Sequence, residues 1–191
     1  MKAKEKVKVK EQNLIEEINI PEGISAELNE ETLTLKKGDE EVKRKINPRV
    51  DVKIDGNKLI LKSVRNRKTE KKVFGTMKAH IKNMVKGLDE KFKYVLKIAN
   101  VHFPMAVSHD KAANELVVRN FLGEKKDRRI KLIQGVDVNV DGDSIELQGI
   151  DIEKTGQCAA NIEKGTKVRN KDRRIFQDGI FIIEKPGRSF M

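Results

Sequence analysis

The second half of the chain repeats the first. Pro21-x-x-Ile24-Ser25 returns as Pro104-x-x-Val107-Ser108 at an offset of 83 residues, and Leu33-Thr34-Leu35 returns as Leu116-Val117-Val118 at the same offset. Val50-Asp51-Val52-Lys53-Ile54-Asp55-Gly56 matches Val136-Asp137-Val138-Asn139-Val140-Asp141-Gly142 at 86, and Leu59-x-Leu61 matches Ile145-x-Leu147. Gly75-x-x-x-Ala79-x-Ile81 matches Gly156-x-x-x-Ala160-x-Ile162 at 81. One such match is chance, but five in the same order are a duplication, and a drifting offset marks loops of different length between equivalent elements. A chain of 191 residues is therefore expected to fold as two copies of one module, residues 1–88 and 89–191, divided near Gly87 to Glu90 without a long linker.

The module can be read from either copy. Alternation at Val50, Val52, Ile54 and then Leu59, Leu61 around Asp55-Gly56 predicts a β-hairpin, and Val136 to Leu147 around Asp141-Gly142 predicts its twin. Further strands are expected at 15–20, 25–28, 32–36 and 42–46, and in the second copy at 92–99, 105–109, 115–120 and 128–133. After each hairpin the apolar period lengthens to that of a helix. Val73, Met77, Ile81, Met84 and Leu88 share one helical face, and Ile152, Ala159 and Ile162 form a thinner stripe. The expected fold class is α+β: two tandem modules, each a mainly antiparallel sheet packed against one helix, with the same strand order in both.

Catalysis needs a constellation, and none is legible. His80, His102 and His109 lack metal-ligand spacing, and Cys158 has no local partner and reads as a small buried residue. The 13 glycines fall singly, without a phosphate-binding loop, and Asp141 and Asp143 sit in a turn that favours Asp for backbone reasons. No enzyme activity, cofactor or metal is expected, and the histidines are expected to be satisfied singly. A lone cysteine, no long apolar run and a Lys-alternating start at Met1 to Lys10 point to a soluble cytoplasmic protein with no membrane partner.

The positive signal is charge. Lys and Arg number 41 against 30 Asp and Glu, a net of +11, which calls for a polyanionic partner, although interspersed Lys and Glu also solvate stable surfaces. Basic residues cluster at Lys2–Lys10, Lys62–Lys72, Lys125–Lys131 and Lys167–Arg174. The last run carries Lys167, Arg169, Lys171, Arg173 and Arg174 beside Ile175-Phe176 and Gly179-Ile180-Phe181-Ile182-Ile183, an apolar anchor that would fix the cations in place. Lys125, Lys126, Arg128 and Arg129 follow Asn120-Phe121-Leu122-Gly123 and read as a basic loop leading into a strand. Aromatic residues are only 4% of the chain, so recognition of RNA by shape and phosphate is expected over stacking on single strands.

Several segments together resemble one family: Asn83-Met84-Val85-Lys86-Gly87, His102-Phe103-Pro104-Met105, Asn120 to Lys125, Gly149-Ile150-Asp151-Ile152-Glu153 and Asp172 to Phe181. They are similar to the L-six family of large-subunit ribosomal proteins in its archaeal and eukaryotic form, and the short ends look archaeal. The resemblance covers Pro21 to about Lys185. It implies a duplicated α+β fold that binds large-subunit ribosomal RNA beside the sarcin-ricin loop, with neighbouring ribosomal proteins as partners, translation factors docking nearby and no role for DNA. It places the main RNA contact on the second module, here Lys154, Asn161, Lys167, Arg169, Lys171, Arg173 and Arg174. Net charge points the other way, since residues 1–88 carry 22 basic and 14 acidic side chains and residues 89–191 carry 19 and 16. Clusters, not totals, then locate the site.

Overall fold

The structure is a computed structural model that describes residues 14–65 and 67–190; the Lys2 to Lys10 run lies outside the described residues. It divides into two units, one ending at Asp89 and the next beginning at Glu90. The first unit runs β1 (Ile15–Asn19), β2 (Ser25–Asn29), β3 (Thr32–Lys37), β4 (Glu40–Lys45), β5 (Val50–Asp55), β6 (Lys58–Ser63) and α1 (Lys68–Asp89). The second runs β7 (Phe92–Ala99), β8 (Ala106–Asp110), β9 (Glu115–Arg119), a 3-10 turn (Phe121–Gly123), β10 (Arg128–Lys131), β11 (Val136–Asp141), β12 (Ser144–Gly149), α2 (Ile152–Gly165), β13 (Gly179–Lys185) and β14 (Arg188–Ser189).

Both hairpins form where the Asp-Gly pairs sit. The β5–β6 ladder closes at Asp55↔Lys58 and the β11–β12 ladder at Asp141↔Ser144. The first loop residue is Gly56 or Gly142, at φ 54° and 53°, a left-handed conformation that a residue with Cβ adopts only with strain. The period-2 pattern then decides which side is buried: Leu59, Leu61, Ile145 and Leu147 are fully covered while their chain neighbours face outward. Each such leucine contributes about 1.5–3 kcal/mol by leaving water.

The repeat holds at the level of topology. The order β1-β6-β5 in the first unit is the order β7-β12-β11 in the second, and β2-β3-β4 corresponds to β8-β9-β10, with every pairing antiparallel. The fold class is thus α+β. Each unit, however, splits its strands between two sheets instead of one. In the first unit the chain leaves the hairpin sheet through Pro21-Glu22-Gly23, with Gly23 at φ 91°, and returns through Asn47-Pro48; proline cannot donate to a ladder, so neither stretch continues the sheet.

Each helix packs on its own hairpin sheet. On α1 the covered face is Phe74, Met77, Ile81, Met84, Val85 and Leu88, centred one residue beyond the predicted Val73. On α2 it is Thr155, Cys158, Ala159 and Ile162, and Asp151 caps the helix by accepting from the Glu153 amide at 2.9 Å. Small residues let α2 lie close: a Cβ on Gly165 would stand 2.6 Å from Ile130 Cδ1. Cys158 is buried, and that burial pushes its thiol pKa up.

Two additions distinguish the second unit. Gly38-Asp39 joins β3 to β4, whereas Asn120 to Asp127 join β9 to β10, so the extra residues implied by the drift from 83 to 86 fall here. The second addition is β13, which pairs antiparallel with β7 on the edge that its counterpart β1 leaves uncovered among the described residues. That segment was expected only as an apolar anchor. As a strand it buries Ile180 completely, opposite Ile98.

Candidate nucleic-acid interface

Two of the basic clusters belong to these additions, one in the β9–β10 insertion and one in the connection from α2 to β13. The β9–β10 insertion is pinned by Phe121, which is fully buried, and by the Asn120 amide, which donates to the Pro104 carbonyl at 2.9 Å. Asn120, Leu122 and Gly123 take left-handed φ values of 56°, 50° and 76°, folding the insertion into a tight knot. Lys125 and Lys126 are left exposed at its outer end.

Arg128 sits beneath that knot as a brace. Its Nε and Nη2 donate to the two Glu124 carboxylate oxygens at 2.8 and 2.5 Å. Its Nη1 donates to the Gly165 and Lys167 carbonyls at 3.0 and 3.4 Å, and its guanidinium lies 3.9 Å from the Phe121 ring centroid. The hydrogen bond from Arg128 holds Glu124 below the usual carboxylate range. Arg128 thus satisfies carbonyls at the C-terminal end of α2, where an α-helix has none of its own donors to offer. Its neighbour Arg129 points to the opposite face of the strand and lies 3.5 Å from Glu115 and 3.8 Å from Asp110, so it does not join the cluster.

On α2, Lys154, Gln157, Asn161 and Lys164 recur at helical spacing on the polar face, and the Gln157 amide donates to Asn161 Oδ1 at 2.8 Å. Lys164 is part of this stripe although the sequence reading did not single it out; the spacing from Lys154 was the available signal. Past the helix, Thr166 ties the chain down. Its buried hydroxyl donates to the Ile162 carbonyl at 3.1 Å and accepts from the Ile180 amide at 3.1 Å, so the end of α2 is fastened to the start of β13.

The run from Lys167 to Arg174 is therefore clamped at both ends. Val168 is buried within it, and Asn170 makes the turn at φ 57°. Asp172 accepts from the Arg174 amide at 2.9 Å and from its guanidinium at 3.1 Å, contacts that hold its carboxyl below the normal range. Lys171 Nζ rests 4.4 Å from the Phe176 ring centroid, and the His102 ring, tilted by 30°, has its centroid 5.0 Å away. Buried Asp178 accepts from the His102 amide at 2.9 Å and Nδ1 at 2.7 Å. Burial raises the Asp178 pKa, but the His102 amide and ring and the Phe103 amide outweigh it and keep the carboxyl ionised below the normal range.

Between the end of α2, the 173–178 segment and the start of β13 lies a cleft of about 540 Å3. Lys164, Lys167, Arg173 and Arg174 stand around it, and Val168, Phe176, Ile180 and Phe181 line it. Lys125, Lys126, Lys154, Lys167, Arg169 and Arg173 are exposed, and their side chains make no hydrogen bond or ion pair among the described residues. The structure thus joins the β9–β10 loop and the Lys167–Arg174 run through Arg128, but leaves Arg129 apart. The histidines also depart from expectation. His102 pairs with Asp178 and His80 Nε2 lies 2.8 Å from Arg44 Nη2, but both ring nitrogens of His109 are buried without a hydrogen-bond partner. Among the described residues no cluster of His, Cys, Asp or Glu is placed to hold a metal, and no helix is long and apolar enough to cross a membrane.

Fold and surface together define a duplicated antiparallel α+β protein whose second copy carries a clamped cationic surface. The profile of the family described as ribosomal protein L6 matches residues 20–91 and 104–179, one stretch for each copy. The "Large ribosomal subunit protein uL6" of Methanococcus vannielii is 42% identical over 91% of this chain and 94% of its own length. The protein of the same name from Methanobrevibacter smithii is 42% identical over 89% and 95%, and that from Haloarcula marismortui 38% over 90% and 96%. The chain belongs to the ribosomal protein L6 family, in its archaeal branch. It is a structural protein and not an enzyme.

Proposed function

We propose that this chain is a constituent of the large ribosomal subunit in the cytoplasm, where it binds large-subunit ribosomal RNA through its second unit. The contact lies beside the sarcin-ricin loop, near neighbouring ribosomal proteins and the docking side of translation factors. Family membership supports the assembly, and one observation supports the surface: exposed cations from three separate segments are locked to one another by Arg128 and Thr166. Cations fixed by a fold neutralise phosphates at a lower ordering cost than cations on a loose chain. Lys125, Lys126, Lys154, Asn161, Lys167, Arg169, Lys171, Arg173 and Arg174 make the contact. Arg128 holds them in register, and Arg129 on the opposite face is the weakest of the predicted contacts.

The test is a salt titration of affinity for large-subunit RNA. The five cations of the Lys167–Arg174 run alone contribute roughly −3.5 to −4.5 to the slope of log affinity against log salt, and exchanging Arg169, Arg173 and Arg174 together for Gln flattens it by about two to three units. The same exchange at Lys2, Lys4 and Lys6 changes much less. A larger effect from the second set puts the RNA surface on the wrong unit.

A further inference from the structure

The cleft beside the cationic run has the wrong floor for a site that meets only phosphates. Phosphate oxygens are satisfied by charges and amides on an open surface and gain nothing from carbon. Here four cations and one carboxylate, Glu163, line a hollow together with Val168, Phe176, Ile180 and Phe181. Phe181 is 36% exposed on β13, and Phe176 is half-buried, with its ring already in contact with His102 and Lys171. An aromatic and aliphatic floor under a cationic rim matches a nucleotide, with its flat apolar base and its charged phosphate, better than it matches a duplex backbone. At about 540 Å3 the hollow has room for one nucleotide with its base turned in.

Apart from the cations and the Glu163 carboxylate, the hydrogen-bonding side chains of the lining are largely committed. Thr166 Oγ is engaged with the Ile162 carbonyl and the Ile180 amide, the Asp178 oxygens with His102, and the Gln177 amide donates to the Arg174 carbonyl at 3.1 Å. A base in the hollow would therefore be held by stacking and by its phosphate, with little reading of its edge.

We infer that the cleft receives a single unstacked nucleotide of the bound RNA, its base against Phe181 and its phosphate among Lys164, Lys167, Arg173 and Arg174. This rests on the RNA-binding reading above and adds to it a preference for RNA with an unpaired nucleotide. Two hairpin RNAs test it with the whole protein, one with a single bulged 2-aminopurine and one fully paired. The bulged hairpin binds about ten-fold more tightly, and its fluorescence changes on binding. Phe181→Ala removes both effects and leaves affinity for the paired hairpin unchanged. Phe181→Leu, which keeps a branched apolar side chain on the strand, retains the fold and loses most of the preference. Equal affinity of the native protein for the two hairpins, with silent fluorescence, would overturn the inference while leaving the RNA-binding reading intact. Failure to bind either hairpin at low salt would overturn both.

Discussion

Arg128 and its neighbours separate two jobs that one basic cluster performs. Lys125 and Lys126 are exposed and unengaged, whereas Arg128 is spent on Glu124, two carbonyls and a ring. Arg128→Gln is expected to lower stability by about 1–3 kcal/mol in urea unfolding, since charge-assisted bonds to a half-buried site are lost. The Lys125→Gln, Lys126→Gln pair should weaken RNA binding and leave the urea midpoint where it was. Asp178 provides a pH signature. Its folded pKa lies below that of the unfolded chain, about 3.9, so the fold is favoured by the ionised form. That contribution is complete above the unfolded value and drains away as the pH falls through the folded one. Asp178→Asn should cost stability at neutral pH and flatten the acid side of a Tm profile taken from about pH 6 down to about pH 2. A parallel profile for the two proteins would mean that His102 and Asp178 are not coupled in folding.

At the scale of the elements, the approach of α2 to β10 is a tight joint. A Cβ at Gly165 would press on Ile130 Cδ1 and Cγ1, so Gly165→Ala is expected to cost about 1–3 kcal/mol, measured by thermal unfolding, and Ile130→Val should return part of it. The strands and helices themselves were largely readable. Predicted strand 92–99 coincides with β7, and the others shift by one or two residues at an end, because alternation and Asp-Gly turns are local signals. β13 was not readable in the same way. Its run Ile180-Phe181-Ile182-Ile183 has no clean period, since a register shift between Ile182 and Glu184 interrupts the alternation, and its partner β7 lies far away in sequence. The cations of the candidate site were legible for being clustered. The floor of the cleft was not, because Val168, Phe176 and Phe181 become neighbours only after Thr166 fastens the helix end to β13.

On the scale of the whole molecule, each unit has its own covered side chains, from Leu33, Leu59 and Ile81 in one to Leu96, Leu147 and Ile162 in the other. Residues 90–191 expressed alone should therefore unfold cooperatively in urea and keep most of the RNA affinity, with the first unit contributing little. An unfolded fragment by circular dichroism would show that the second copy depends on the first. The matched hairpin registers have a consequence of another kind. Val50–Ser63 and Val136–Gly149 present interchangeable ladders, so each is a plausible wrong partner for strands of the other during synthesis. Mispairing of this sort is the characteristic hazard of tandem repeats, and order of emergence limits it. The first hairpin has β1 already synthesised ahead of it and α1 directly behind it, and can close its ladder while the ribosome is still translating its twin.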